Sequence, residues 1–164
     1  MGTVWLARDP RLRRRVALKL VRVGARAQRV GRRLRHEAQA LARVVDPHVT
    51  AVFDVGTDGD DVFIAMQYVA GGTLRAWSNA APRSWRTLVP LLRQAALGLA
   101  AAHRAGLVHR DFKPENVLVD ADAFALGIPR VHVADFGLAW ATQVALDDDD
   151  APAQRGDALL ATTA

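Results

Sequence analysis

The segment that decides the fold is His109-Arg110-Asp111-Phe112-Lys113-Pro114-Glu115-Asn116. Pro114 flanks two polar side chains, Asp111 and Asn116, and proline disfavours a continuous helix because it has no amide hydrogen. We therefore predict a loop here. A loop can aim both side chains at one point.

A second acidic position, Asp135, lies further along the chain in Asp135-Phe136-Gly137. The amide oxygen of Asn116 and the carboxylate of Asp135 suit a hard cation such as Mg²⁺, which prefers a few oxygen ligands together with phosphate. Asp111 would then be left to accept a proton from a hydroxyl nucleophile.

Lysine and glutamate are rare in this chain. Only two of the 22 basic residues are lysines, Lys19 and Lys113, and only two of the 17 acidic residues are glutamates, Glu37 and Glu115. Lysine and arginine are not interchangeable where a compact point charge must meet phosphate oxygens. We interpret these four positions as ones where chemistry, not charge alone, fixed the residue.

Glu37 lies beside an apolar stripe of a predicted helix, where a lone carboxylate is costly unless it is paired. Lys19 ends the strand-like run Val16-Ala17-Leu18-Lys19, and its neighbours in sequence point to the opposite face. We predict that Lys19 pairs with Glu37 and presents its ammonium group to phosphates.

Hydrophobic periodicity predicts a strand-rich first part and a helix-led second part, separated at Gly71-Gly72. The stripe of the first predicted helix includes Val45, and the stretch 120–130 is longer than a tight turn and is expected to bulge at the surface. The predicted strands are 3–8, 15–23, 49–56, 62–69, 117–119 and 131–134, and the predicted helices are 28–45, 73–80 and 87–105.

These motifs, in this order, resemble those of the protein kinase superfamily. The amino-acid sequence of the loop is most similar to that of bacterial Ser/Thr kinases of the eukaryotic-like (Hanks) type. The resemblance implies an α+β, two-lobed kinase-like fold. It implies a partial N-lobe over residues 1–69, an antiparallel sheet with one helix, and a partial helical C-lobe over residues 70–164.

The resemblance also implies ATP and Mg²⁺ as cofactors and assigns roles to individual residues. Asp111 is the catalytic base and Lys113 neutralises the γ-phosphate, as in Ser/Thr rather than Tyr kinases. Glu37 holds Lys19, which steadies the α- and β-phosphates. The metal ligands are Asn116 and Asp135, and the nucleotide-binding residues are Gly2, Val4, Ala17, Met66, Gln67, Val69 and Leu118.

The chain departs from the family pattern at both ends. Gly2-Thr3-Val4 supplies only the end of the glycine-rich loop, and the sequence stops near where an A-P-E motif is expected. We expect the helix predicted over 87–105 to expose apolar side chains such as Leu91, Leu92 and Leu99, a surface open to a protein partner. Candidate phosphate acceptors, which Arg110 could hold, are Thr142, Thr162 and Thr163.

Composition narrows the function classes. Hydrophobic residues make up 51% of the chain, so it is not expected to be disordered. It has no cysteine, which suits a reducing cytoplasm. We find no transmembrane segment in the sequence. The net charge of +5 is concentrated in the first part, but nucleic acid is not an expected partner because no aromatic residues are interleaved with those arginines.

Three hypotheses follow from the sequence. The first is a fragment of a protein Ser/Thr kinase, weak or inactive in isolation, that phosphorylates protein substrates. The second is a catalytically inactive kinase-like interaction module. The third, which fewer features favour, is nucleic-acid binding by the arginine-rich part, which would be salt-sensitive.

Overall fold

The first part of the chain is an antiparallel sheet with one helix, as predicted. The computed structural model describes residues 3–22, 27–125 and 127–136. Its sheet has the strand order β1-β2-β4-β3, and helix α1 lies between β2 and β3 in sequence. The elements are β1 (Thr3–Asp9), β2 (Arg14–Arg22), α1 (Ala27–Leu41), β3 (Val52–Asp58) and β4 (Asp61–Gln67).

One face of this sheet forms the first hydrophobic core. Strand β4 alternates strictly, so that Val62, Ile64 and Met66 are buried while their neighbours are only partly covered. Ala38 of α1 packs against the same cluster. The period of two that predicted the strand therefore also identifies the side that α1 covers.

Helix α1 ends at Leu41, earlier than the predicted 28–45. The last turn tightens, because the amide of Arg43 bonds the carbonyl of Ala40 and the amide of Val44 bonds that of Leu41. Val45 is consequently 96% exposed, so its place in the predicted apolar stripe was wrong. A stripe read from sequence cannot show where the backbone leaves the helix.

The second part of the chain is built around helix α3. Helix α2 (Leu74–Asn79) lies within the predicted 73–80, and Thr73 caps it by accepting a hydrogen bond from the amide of Ala76. Helix α3 (Trp85–Arg104) begins two residues earlier than predicted, because the side chain of Ser84 accepts from the amide of Thr87 and serves as its N-cap.

A β-hairpin follows α3 and a short 3₁₀ turn (Pro114–Asn116). Strand β5 (Val117–Ala125) pairs with β6 (Ile128–Val133), so both strands are longer than predicted. The register shifts between Asp120 and Phe124, which locates the expected bulge within a hairpin rather than in an open loop.

The backbone itself joins the two parts. The amide of Thr50 bonds the carbonyl of Val133, and the amide of Val133 bonds the carbonyl of His48. Gly98 of α3 sits so close to this connection that an added Cβ would lie 2.4 Å from the carbonyl oxygen of His48. Glycine is needed here because any side chain would push α3 away from β6.

The predicted apolar exposure of α3 is only partly correct. Leu91 is fully buried in the second core, and Leu99 packs against that core, whereas Leu92 is 49% exposed. The prediction failed for Leu91 and Leu99 because the hairpin and the segment around Val49 cover one side of α3. Within the described ranges, no helix is long and apolar enough to cross a membrane.

We predict that Leu91→Ala lowers the free energy of unfolding by about 2–5 kcal/mol, because it leaves a cavity in a packed core. The matched control Leu92→Ala removes the same atoms from an exposed site one residue away and should cost less than about 0.5 kcal/mol. Urea unfolding followed by circular dichroism measures both. Equal losses in the two variants would contradict this assignment of the core.

Candidate active site

The register of the sheet gathers several predicted residues on one face. Val4 lies opposite Lys19 on the neighbouring strand, and Ala17 lies opposite Met66. Since directly opposed residues share a face, and so do positions two apart on one strand, all four side chains lie on the α1 side of the sheet. Strand pairing alone therefore brings together a lysine and an apolar surface.

Lys19 makes the contact that joins the two parts of the site. Its Nζ donates to Oδ2 of Asp135 at 2.8 Å, and only 12% of the lysine side chain is exposed. Asp135 follows β6 with a φ of 61°, a left-handed conformation that is uncommon for residues other than glycine. Glu37, the partner predicted for Lys19, is in α1, but its side chain lies outside the described part of the structure.

Three predicted residues of the loop meet directly. Lys113 Nζ donates to Oδ2 of Asp111 at 2.7 Å. The amide nitrogen of Asn116 donates to the main-chain carbonyl of Asp111 at 2.8 Å and to Oδ2 at 3.3 Å. The carboxylate of Asp111 is thus held in place by two neighbours from its own loop.

These contacts fix the ionisation of the pair. The hydrogen bond from Lys113 is the main reason that the pKa of Asp111 lies below its ordinary value of 3.8. The same bond raises the pKa of Lys113 above its ordinary value of 10.5. At neutral pH Asp111 is therefore an ionised acceptor, the form that a general base requires.

His109 links the loop to the end of β6. It is buried, and its Nδ1 accepts a hydrogen bond from the amide of Asp111, so its Nε2 carries the hydrogen and donates to the carbonyl of Ala134 at 2.9 Å. The amide of Ala134 in turn donates to the carbonyl of Asn116. These bonds place Asp135 beside the loop, so His109 has a structural role.

Arg75 is a charged partner of the loop that sequence reasoning missed. Its Nε donates to Oε1 of Glu115 at 2.9 Å, which ties α2 to the 3₁₀ turn. The only signal in the sequence was the rarity of glutamate, which marked Glu115 without showing its partner.

The donor set at this site fits a magnesium ion that shares its coordination with phosphate. The hydrogen bonds of Asn116 use its amide nitrogen, so its amide oxygen takes no part in them. Over the described ranges, no three His, Cys, Asp or Glu side chains form a metal cluster. One carboxylate and one amide oxygen match the sparse protein ligation that Mg²⁺ has in nucleotide sites.

The other residues predicted for nucleotide binding are less tightly grouped. Val69 is buried, and Leu118 is half-buried and forms a β-bridge with Thr73. The amide of Gln67 donates to the carbonyl of Ala51, so this amide is already used within the sheet region. These assignments, like the other predicted site roles, stay predictions.

Two cavities, of about 230 and 320 Å³, are lined by residues of α1, β3 and the segment after α1, and the larger one also by Gln67 of β4 and by Arg130 and His132 of β6. Neither is lined by Lys19, Asp111 or Asp135. The predicted nucleotide site therefore rests on the shared sheet face and the charged contacts, not on an enclosed cavity.

The structure does not describe several residues that the sequence singled out. Gly2 and Gly137 lie outside the described residues, as do the candidate phosphate acceptors Thr142, Thr162 and Thr163.

We predict that Lys113→Ala raises the pKa of Asp111 toward 3.8, because it removes the main cause of the lowered value. In the native chain the ion pair between Lys113 and Asp111 stabilises the fold at pH values above the pKa of Asp111 in the unfolded chain. That stabilisation is lost as the pH falls through the lower pKa of Asp111 in the folded chain. Carboxyl ¹³C NMR titration measures the shift, with the exposed Asp122 as an internal control. An unchanged Asp111 titration would contradict the contact.

Comparison with known proteins agrees with this geometry. The model of the protein kinase domain family matches residues 1–150. The chain is 43% identical over 146 residues to serine/threonine-protein kinase PknL of Mycobacterium bovis, a match that covers 88% of this chain and 35% of PknL. It is 35% identical over 143 residues to serine/threonine-protein kinase PrkC of Bacillus subtilis, covering 86% of this chain and 21% of PrkC.

A solved structure shows the same fold. The kinase domain of PknI from Mycobacterium tuberculosis, crystallised as a point mutant, superimposes with a TM-score of 0.68 at 31% identity, covering 84% of this chain and 55% of that one. The chain thus spans about a third or less of the curated relatives compared above and about half of the solved kinase domain. The relatives compared above are bacterial serine/threonine-protein kinases, and the chain belongs to the protein kinase family.

Proposed function

We propose that this chain is part of the catalytic domain of an ATP-dependent protein serine/threonine kinase. The observation that carries the proposal is the 2.8 Å contact between Lys19 and Asp135, residues 116 positions apart in sequence. It brings a sheet lysine to the acidic residue beside the loop that holds Asp111. A phosphate-binding cation and two separate carboxylates are the groups that phosphoryl transfer requires.

In the proposed reaction, Asp111 accepts the proton of a serine or threonine hydroxyl group. The hydroxyl oxygen forms a bond to the γ-phosphorus of ATP, and the bond from that phosphorus to the β–γ bridging oxygen breaks, which releases ADP. Lys113 lies against Asp111 and offers a positive charge where the transferred phosphoryl group would pass. Its raised pKa keeps it protonated across the physiological range.

The nucleotide would lie against the α1 side of the sheet. Lys19 would hold the α- and β-phosphates, and Val4, Ala17 and Met66 would supply apolar contacts to the base from the same sheet face. Asn116 and Asp135 would hold Mg²⁺, which when bound neutralises the charge that develops on the phosphate oxygens.

A specific observation favours a second candidate function, an interaction module with little or no turnover. Trp85, Val89 and Leu92 of α3 are 65%, 51% and 49% exposed, and their spacing places them on one side of the helix. Such a stripe would suit a protein partner and would make the isolated 164 residues poorly soluble or weakly active. In either case we propose a cytoplasmic location, which the absence of cysteine suits.

We predict that Asp111→Asn lowers phosphoryl transfer from ³²P-labelled ATP by at least about 100-fold, because general-base catalysis typically contributes about 10²–10⁴-fold. Binding of Mg-ATP, followed by thermal shift, should be retained in this variant. Asp135→Asn should lose both transfer and the magnesium-dependent part of the shift.

The matched control is Asp122→Asn, which changes an exposed aspartate of β5 in the same way. It should leave transfer and nucleotide binding unchanged. Transfer by the isolated native chain is expected to be weak, so binding of Mg-ATP decides between the two functions. A defined complex with a protein partner and no thermal shift with Mg-ATP would favour the interaction module and refute the kinase proposal for this chain.

A further inference from the structure

The larger of the two cavities is big enough for a small molecule. Its volume is about 320 Å³, whereas one water molecule takes up about 30 Å³ of the liquid and small-molecule sites begin at about 300 Å³. Both parts of the chain contribute to its walls. The segment after α1, the start of β3 and the end of β4 line it together with Arg130 and His132 of β6. A molecule bound here would touch both parts.

The imidazole of His132, which lines this cavity, has no hydrogen-bond partner among the described residues. Only 5% of its side chain is exposed, and both ring nitrogens are buried. Oδ2 of Asp120 lies 3.6 Å from Nε2, which is too long for a hydrogen bond. His48, by contrast, has a ring nitrogen 3.1 Å from the carbonyl oxygen of Val131.

A buried polar group without a partner costs free energy, and such groups are rare in folded proteins. A ligand in the cavity would supply the hydrogen bonds that His132 lacks. The buried imidazole therefore marks this cavity as a binding site, which the volume alone would not.

The charges of the lining are balanced. The charged residues among its described members are Asp46 and Arg130, which have opposite signs. Burial lowers the pKa of His132 in spite of the opposing effect of Asp120, so the imidazole is neutral at physiological pH and offers one donor and one acceptor. Gln67 adds a side-chain amide group. The lining therefore favours neither an anion nor a cation, and it offers donors as well as acceptors.

The rest of the lining is mostly apolar. Leu41 and Val49 are buried, whereas Val45 and Pro47 are exposed, so the cavity opens to solvent beside the last two. An apolar body would be held by these side chains through its removal from water.

We propose that this cavity binds an uncharged small molecule whose apolar body carries an amide-like group, with a donor and an acceptor side by side. The amide-like group bonds His132 and Gln67, and the apolar body lies against the aliphatic side chains. Neither Lys19 nor Asp135 lines this cavity, so the site is separate from the phosphate end of the predicted nucleotide site. The proposal does not depend on phosphoryl transfer.

The first experiment titrates the native chain with benzamide and follows the NMR signals. Benzamide should bind with a Kd on the order of 1 mM, as expected for a molecule of its size. It should shift the ring signals of His132, the side-chain amide signals of Gln67 and the main-chain amide signal of Val45.

Three molecules of nearly the same size test the chemistry of the ligand. Toluene lacks the hydrogen-bonding group, benzoate is an anion and benzamidinium is a cation. Each should bind at least about fivefold more weakly than benzamide, because a polar group stays unpaired or a charge loses its water.

The second experiment uses His132→Leu, which removes the imidazole. This variant should bind benzamide at least about fivefold more weakly and toluene within about twofold of the native chain. Its free energy of unfolding in urea should be no lower than that of the native chain, because no hydrogen bond is lost. A purely structural histidine would give the opposite result. The matched control is His103→Leu at the exposed end of α3, which should leave benzamide binding unchanged.

Four results would overturn the proposal. One is the absence of shifts at the cavity up to about 10 mM benzamide, tenfold above the expected Kd. The second is equal affinity in His132→Leu and His103→Leu, and the third is tighter binding of benzoate or benzamidinium. The fourth is displacement of benzamide by Mg-ATP, which would assign the probe to the nucleotide site. A native chain that binds benzamide but not Mg-ATP would count against the kinase function alone.

Discussion

The arrangement of the whole site depends on the ion pair between Lys19 and Asp135. Lys19 lies on strand β2 of the sheet, and Asp135 follows strand β6 of the hairpin. The pair therefore forms only if both parts of the chain fold and pack together. Lys19 is largely buried, and a buried ammonium group is costly unless a carboxylate compensates it. Removing either partner would take away the ion pair that joins the two parts.

The backbone supplies the rest of this constraint. His109 and Asn116 bond the two polar groups of Ala134, and the residue after Ala134 takes a left-handed conformation that directs the chain onward. Strain of this kind persists only where surrounding contacts determine the conformation. The loop that holds Asp111 and the predicted metal ligand Asp135 are thus fixed to each other by main-chain geometry, independently of any ligand.

Each lysine of the chain is bonded to a carboxylate of the site. Oδ2 of Asp135 accepts the bond from Lys19, and Oδ1 takes no part in that bond. Asp111 similarly keeps its charge because Lys113 stabilises it. The rarity of lysine in an arginine-rich chain agrees with this, since a flexible ammonium group can exchange one oxygen partner for another more readily than a planar guanidinium group.

Much of this could be predicted from the sequence, because the strand alternation, the turn residues and the loop motif are local signals. They predicted the sheet, α2, and the meeting of Asp111 and Asn116 in one loop. What could not be predicted depends on contacts between distant residues. Examples are the burial of Leu91, the exposure of Val45 and the bond from Arg75 to Glu115.

The central claim is that the sheet face around Lys19 and the loop around Asp111 and Asp135 form one nucleotide site. Paramagnetic broadening of amide NMR signals by Mn²⁺-ATP, with Mn²⁺ in place of Mg²⁺, tests it most directly because the effect falls steeply with distance from the ion. We expect the signals of Lys19, Asn116 and Asp135 to broaden together at low Mn²⁺-ATP, and ATP without the metal to produce no such broadening. Broadening confined to one of the two parts of the chain, or spread over its acidic surface, would contradict it.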